Sequence, residues 1–223
     1  FFSPESHLEI GVDYPTMLAG VLQGVTDAQT DFGLITNLVP AINRELGGAR
    51  SVEFVQMVQD HREDRVIGVG LDFNEAGFPP ENYVEAFELA AKVGLHRTSH
   101  AGEVGPAANV GNSIDLLDCE RVDHGYNIVD DPAIVAACVA SQIGFTVCPT
   151  TTTYTSAFRD LAAPDHAIRQ MADAGLNLNI NSDDPAMFTS DLADEFSIVH
   201  HTMGFTLAEM KQFALNGIDA AWI

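Results

Sequence analysis

The sequence predicts an α/β protein, a (β/α)8 barrel of TIM type whose first strand is lacking from this chain. Three observations carry that expectation. Short β-branched or apolar runs recur along the chain, segments with helically spaced apolar residues lie between them, and the polar residues with catalytic potential stand at the ends of the runs.

Taken in order, Phe1-Phe2 reads as the end of a strand. Leu34 to Val39, Val66 to Leu71, Leu95 to His100, Arg121 to His124, Ile143 to Cys148 and Leu176 to Asn181 read as further strands. Between them, Tyr83, Phe87, Leu89 and Ala90, and then Ala133, Val135, Ala136 and Val139, are spaced for helices with one buried face. His100, His124 and Cys148 stand 24 residues apart, room for the strand, helix and two loops that a parallel crossover needs. A closed barrel has eight strands and roughly 250 residues. Seven strands in 223 residues therefore imply that one is missing at the N-terminus. An open doubly wound sheet is the competing fold, but the chain has neither a glycine-rich dinucleotide fingerprint nor a phosphate-binding loop. No internal linker is visible, so residues 1–223 are expected to form a single domain.

Charge narrows the function classes. With 32 acidic and 10 basic residues, the formal charge is -22, which argues against a surface that tracks a nucleic-acid backbone and against multiply charged nucleotides as ligands. Cys119, Cys138 and Cys148 are odd in number and form no C-x-x-C pair, so neither a disulfide framework nor a zinc ribbon is indicated, and a cytoplasmic setting fits. No run approaches the roughly 20 apolar residues of a membrane helix.

The candidate chemistry lies at strand ends, and in a barrel the carboxyl ends of all strands converge on one mouth. His100-Ala101-Gly102-Glu103 ends one strand, and Gly102 permits a tight turn that brings the Glu103 carboxylate back towards the His100 imidazole. A histidine bonded to backbone beside a glutamate at a helix start would read the same motif equally well. His96 shares a strand face with His100 but lies about 13 Å along the strand, so it is expected to be a supporting group. His124 precedes a glycine turn. Asp183 and Asp184 are adjacent carboxylates after an apolar strand; Asp184 could cap a helix beginning at Pro185, but the crowding of two acids is costly unless a cation or a donor compensates, which a metal would do. Cys148 is expected to be packed core, and Thr150 to Thr153 a solvated loop or hydroxyl lining near the mouth.

Four blocks together resemble a known family: Leu95 to Gly105 with its His-Ala-Gly-Glu, Asp123-His124-Gly125-Tyr126, Val147-Cys148-Pro149-Thr150, and Asn179 to Pro185 with its Ser-Asp-Asp-Pro. The chain resembles, over nearly its whole length, the adenosine and adenine deaminases, zinc enzymes of the amidohydrolase superfamily with a (β/α)8 barrel. The resemblance implies hydrolytic loss of the 6-amino group of a purine base or nucleoside in purine salvage. It also implies one zinc held by His100 and Asp183, Glu103 as proton donor to the purine ring, and His124 as the residue that orients or deprotonates the attacking water. Asp184 and Gly102 would contact the substrate. In that family a zinc-bound water loses its proton near neutral pH, at a pKa of roughly 7.

The chain departs from the family in two places. It contains no His-x-His, which the family carries on the first barrel strand; the two further histidine ligands are expected on a strand preceding Phe1, and the closing helix around Asn216 to Ala221 is expected to be cut short. At Leu71 to Gly77, Glu75 stands where adenosine deaminases use a glycine at the purine. That pattern, with Asp123 and Ser182, is closer to adenine deaminases, whereas the block around His96 leans to the animal adenosine enzymes, leaving base and nucleoside both open. A deaminase of a modified adenosine, another amidohydrolase, or an inactive truncated barrel serving as an interaction module are the alternatives.

Overall fold

The computed structural model describes residues 1–223, which divide into two compact units, Phe1–Thr98 with Trp222–Ile223, and Ser99–Ala221. In the first unit, helix α1 (Glu5–Glu9) is followed by α2 (Tyr14–Phe32), which starts where the Asp13 carboxylate accepts the Thr16 N–H and stops at Gly33 in the left-handed region. Strand β1 (Ala41–Asn43) leads through α3 (Gly47–Asp60) to β2 (Gly68–Asp72), and α4 (Val84–Lys92) leads to β3 (His96–Ala101), within which the boundary between the units falls. β1 pairs in parallel with β2, Ala41 opposite Gly70, and β2 with the start of β3, Gly68 opposite His96. Phe54, Val55 and Val58 of α3 and Phe87 of α4 are fully or almost fully buried, the helix faces that cover strands. The buried Arg44 guanidinium donates to the carbonyls of Asp72, Leu71 and Phe78, fixing the loop after β2 on which Glu75 lies buried.

The second unit continues the alternation. α5 (Ala107–Asp115), β4 (Arg121–His124), α6 (Pro132–Ser141), β5 (Gly144–Val147), α7 (Pro149–Thr155), α8 (Ala167–Asp173), β6 (Asn177–Ile180), α9 (Pro185–Phe188), α10 (Leu192–His201) and α11 (Leu207–Ala220) follow in turn. β4 pairs in parallel with β5, Val122 opposite Phe145, and β5 with β6, Phe145 opposite Leu178. Val122, Phe145, Leu178, Ile168 and Met171 centre its core. Helix starts are written in the sequence: Asp131 caps α6 ahead of Pro132, and capping boxes open α10 (Asp191, Asp194) and α11 (Thr206, Glu209).

Three expectations change. The strand predicted over 34–39 becomes regular only at Ala41: Leu34 and Ile35 are more than half exposed, and Pro40 has no N–H to give to a ladder. Phe2 makes a single bridge to Pro40, so six strands stand where seven are predicted. The Thr150–Thr153 run is helical, with Thr151 and Thr152 buried, because Pro149 supplies a helix-ready first position.

Candidate metal and catalytic site

The second unit brings three of the singled-out side chains to one point. One ligand atom each from His100, His124 and Asp183 lies within 4.8 Å of the others. His100 comes from the carboxyl end of β3, His124 from that of β4, and Asp183 from three residues beyond β6. His124 and Asp183 both hold left-handed backbone, φ 68° and 55°, a conformation that costs a non-glycine residue about 1–2 kcal/mol and that collects at functional sites.

The two histidines are held from behind. The His100 and His124 rings meet edge to face at 4.7 Å. His100 Nδ1 faces Asp123 Oδ2 at 3.6 Å, while Asp123 Oδ1 accepts the Thr146 hydroxyl at 2.6 Å. His124 Nε2 lies 3.8 Å from Glu103 Oε2, beyond hydrogen-bond length. Glu103 Oε1 accepts from Thr155 Oγ1 at 2.5 Å. On the other side of His124, Nδ1 lies 3.2 Å from the Tyr126 hydroxyl, which accepts the Cys148 N–H at 3.0 Å. Burial pushes the Tyr126 hydroxyl and the Cys148 thiol well above their ordinary ranges, so both stay protonated and neither is a nucleophile.

Gly102 lies in the left-handed region at φ 71°, and a Cβ there would stand 2.7 Å from Val110 Cγ2 and 3.4 Å from the Gly125 carbonyl carbon. The turn that places Glu103 beside His124 thus needs glycine for conformation and for room. Asp184 is exposed, and although it precedes α9 its side chain makes no capping bond, so the helix-cap explanation of the second acid does not hold. Glu75 belongs to the first unit, 3% exposed on its loop. His96, expected to support rather than ligate, stacks on Trp222 with centroids 4.6 Å apart. Cys148 is core, as expected.

Thr155 and the supporting part of Asp123 were not legible as site residues. The Thr155 contact spans 52 positions, and its only sequence signal is a hydroxyl-rich run that ends two residues earlier.

Two imidazoles and a carboxylate form a nitrogen and oxygen donor set suited to zinc and similar divalent ions, and a carboxylate behind a ligating imidazole is the usual outer support. The residues present fit a metal, and the Glu103 carboxylate lies beside one of them, His124.

Comparison with known proteins follows the same lines. A family model described as adenosine deaminase matches residues 1–223. The chain is 36% identical over 223 residues to an adenine deaminase of Vibrio parahaemolyticus and 35% identical to one of Streptomyces coelicolor, covering all of this chain and 65% of each relative. It therefore spans about two thirds of their length. Among solved structures, a zinc-bound amidohydrolase from Burkholderia ambifaria superposes with a TM-score of 0.94 at 38% identity, over 100% of this chain and 62% of that one. An adenine deaminase from Arthrobacter aurescens superposes with a TM-score of 0.94 at 33% identity, over 99% and 67%. The fold is that of the amidohydrolase barrels.

Proposed function

The chain belongs to the adenosine deaminase family, and from that premise we propose that it carries the site of a metal-dependent hydrolase that removes the 6-amino group of adenine, giving hypoxanthine and ammonia in purine salvage. The observation that carries the proposal is the convergence of His100, His124 and Asp183 with Glu103 alongside. That the similar curated relatives are adenine deaminases favours the base over adenosine.

His100 and Asp183 would hold one zinc, with His124 close enough to join them or to work on the water beside it. When bound, the ion would supply a water acidified enough to react near neutral pH. His124 orients that water and takes its proton. Glu103 gives a proton to the ring nitrogen next to the amine-bearing carbon, making that carbon electrophilic, a general-acid contribution typically of about 10²–10⁴-fold. Water oxygen then bonds to the carbon, His124 passes its proton to the amino nitrogen, the carbon–nitrogen bond breaks so that ammonia leaves, and the hydroxyl left on the carbon gives up its proton to restore Glu103. Asp184, exposed next to Asp183, accepts an N–H from the imidazole part of the purine, and Gly102 and Glu75 are taken as further substrate contacts. Residues 1–223 are taken as one hydrolase domain working on a small neutral purine; a charge of -22 accords with such a substrate and disfavours a nucleic acid. The three cysteines are free and buried, which suits a reducing cytoplasm, and no helix is long and apolar enough to cross a membrane.

The test is ammonia release by the zinc-loaded protein from adenine, adenosine and N6-substituted adenosines. Adenine should be preferred, and Glu103→Gln should abolish turnover while leaving zinc bound. No ammonia from any 6-aminopurine would overturn the proposal; preference for a nucleoside would overturn its choice of substrate.

A further inference from the structure

The Asp123-His124-Gly125-Tyr126 block ends in a residue to which the reaction gives no task, yet Tyr126 is wholly buried directly behind His124. Its hydroxyl has three neighbours: the Cys148 N–H, which donates to it at 3.0 Å, the Cys148 carbonyl at 3.4 Å, and His124 Nδ1 at 3.2 Å. A phenol has one proton to give. The Cys148 carbonyl also accepts the Thr152 N–H at 3.3 Å, and the Tyr126 hydroxyl is directed at its second lone pair, so the arrangement in which the hydroxyl proton is committed there leaves the phenolic oxygen free to accept. In that arrangement the hydroxyl proton goes to the Cys148 carbonyl, the Cys148 N–H and the His124 Nδ1–H both donate to the phenolic oxygen, and the proton of neutral His124 therefore sits on Nδ1. Were the hydroxyl to donate to Nδ1 instead, the His124 proton would sit on Nε2 and would occupy the side facing Glu103 and the metal donors.

We infer that Tyr126 is a positioning residue that fixes the Nδ1–H tautomer of His124, so that the Nε2 lone pair is turned into the site. The inference deepens the reading above, since either role proposed for His124, holding an ion or taking a proton from water, needs that lone pair. The tie also couples the end of β4 to the backbone just after β5, because the same hydroxyl is bonded to Cys148.

The imidazole nitrogen spectrum of the metal-free protein, selectively labelled at histidine and assigned with His124→Gln, tests this without any change at Tyr126. The expected result is a protonated Nδ1 and an unprotonated Nε2 at His124; a protonated Nε2 would overturn the inference. Tyr126→Phe should then leave His124 a mixture of tautomers, weaken zinc binding by about 10- to 100-fold in competition with a chromogenic chelator, and lower kcat more than it raises KM. A Phe variant that folds, keeps the Nδ1–H signature and binds zinc with unchanged affinity would also overturn it. The nitrogen spectrum is independent of turnover: the expected tautomer in a protein that deaminates nothing would sink the proposed function and leave this inference standing.

Discussion

Replacing Gly125 with alanine should damage the protein through one identifiable contact. Gly125 sits at φ 80°, next to His124 at φ 68°, so the chain makes two successive left-handed residues to turn the imidazole into the site. A Cβ at Gly125 would stand 2.5 Å from Phe145 Cδ1 and 2.7 Å from Cε1, and the Phe145 ring is fully buried in the core. The left-handed conformation costs alanine about 1–2 kcal/mol. Forcing a methyl against an immobile ring adds about 1–3 kcal/mol. The sum, about 2–5 kcal/mol, can be split experimentally by urea unfolding of Gly125→Ala, Phe145→Val and the double variant. Phe145→Val has neither the δ- nor the ε-carbon that the new methyl would strike, so the double variant should be more stable than the two separate losses predict, by about the 1–3 kcal/mol of overpacking. Losses that simply add, to within about 0.5 kcal/mol, would refute the steric reasoning and leave only the backbone cost.

Other consequences follow from single contacts. Asp123→Asn should weaken zinc binding by about 10- to 100-fold in chelator competition, because the carboxylate facing His100 Nδ1 orients that ring; unchanged affinity would remove Asp123 from the site. Thr155→Val should cost the proposed deamination about 0.5–1.5 kcal/mol, a roughly 2- to 12-fold loss in kcat, since the lost bond to Glu103 lies where solvent can partly replace it, while Thr155→Ser keeps the rate. Stability should fall as pH drops below about 6.5. Burial holds His166 below its ordinary value of 6.5, and its Nδ1 accepts the Ile168 N–H at the start of α8. The unfolded chain therefore takes up a proton that the folded chain refuses, and the stability present above 6.5 is lost towards the lowered folded value. Urea midpoints at pH 7.5 and 5.5 should differ less in His166→Asn, which keeps a capping acceptor; an equal difference would clear His166 of the effect.

The parts of the fold legible in the sequence are those where local chemistry and burial agree. Val122, Phe145 and Leu178 are wholly buried inside short runs that read as strands, and capping pairs such as Asp191 with Asp194 announce helices. The run from Leu34 misled because apolar residues reveal a strand only if something covers them, and Leu34 and Ile35 are left exposed. The threonines after Pro149 misled in the opposite sense. Their hydroxyls suggested a solvated loop, yet those of Thr152 and Thr153 turn back onto carbonyls three residues earlier, Pro149 and Thr150, within α7. At the site, His100, His124 and Asp183 could be picked out because they end strands or closely follow one. Their supports could not, because Thr146 behind Asp123 and Thr155 behind Glu103 act across 23 and 52 positions, and a hydroxyl has no periodicity to betray it.

Backbone strain adds a line of argument that side-chain pattern alone does not contain. Of the non-glycine residues at positive φ, Phe73 immediately follows β2, His124 closes β4 and Asp183 follows β6 by three residues. Left-handed backbone at a β-carbon-bearing residue persists only where the surroundings over-determine it. At His124 those surroundings are named: Gly125 continues the turn, its N–H donates to the Ala101 carbonyl, and Tyr126 receives the ring from behind. Free of function, His124 and Asp183 would each be more stable as glycine or asparagine at that φ. That an imidazole and a carboxylate occupy these positions instead, with ligand atoms within 4.8 Å of each other, argues that the strain is maintained for what the two groups hold between them.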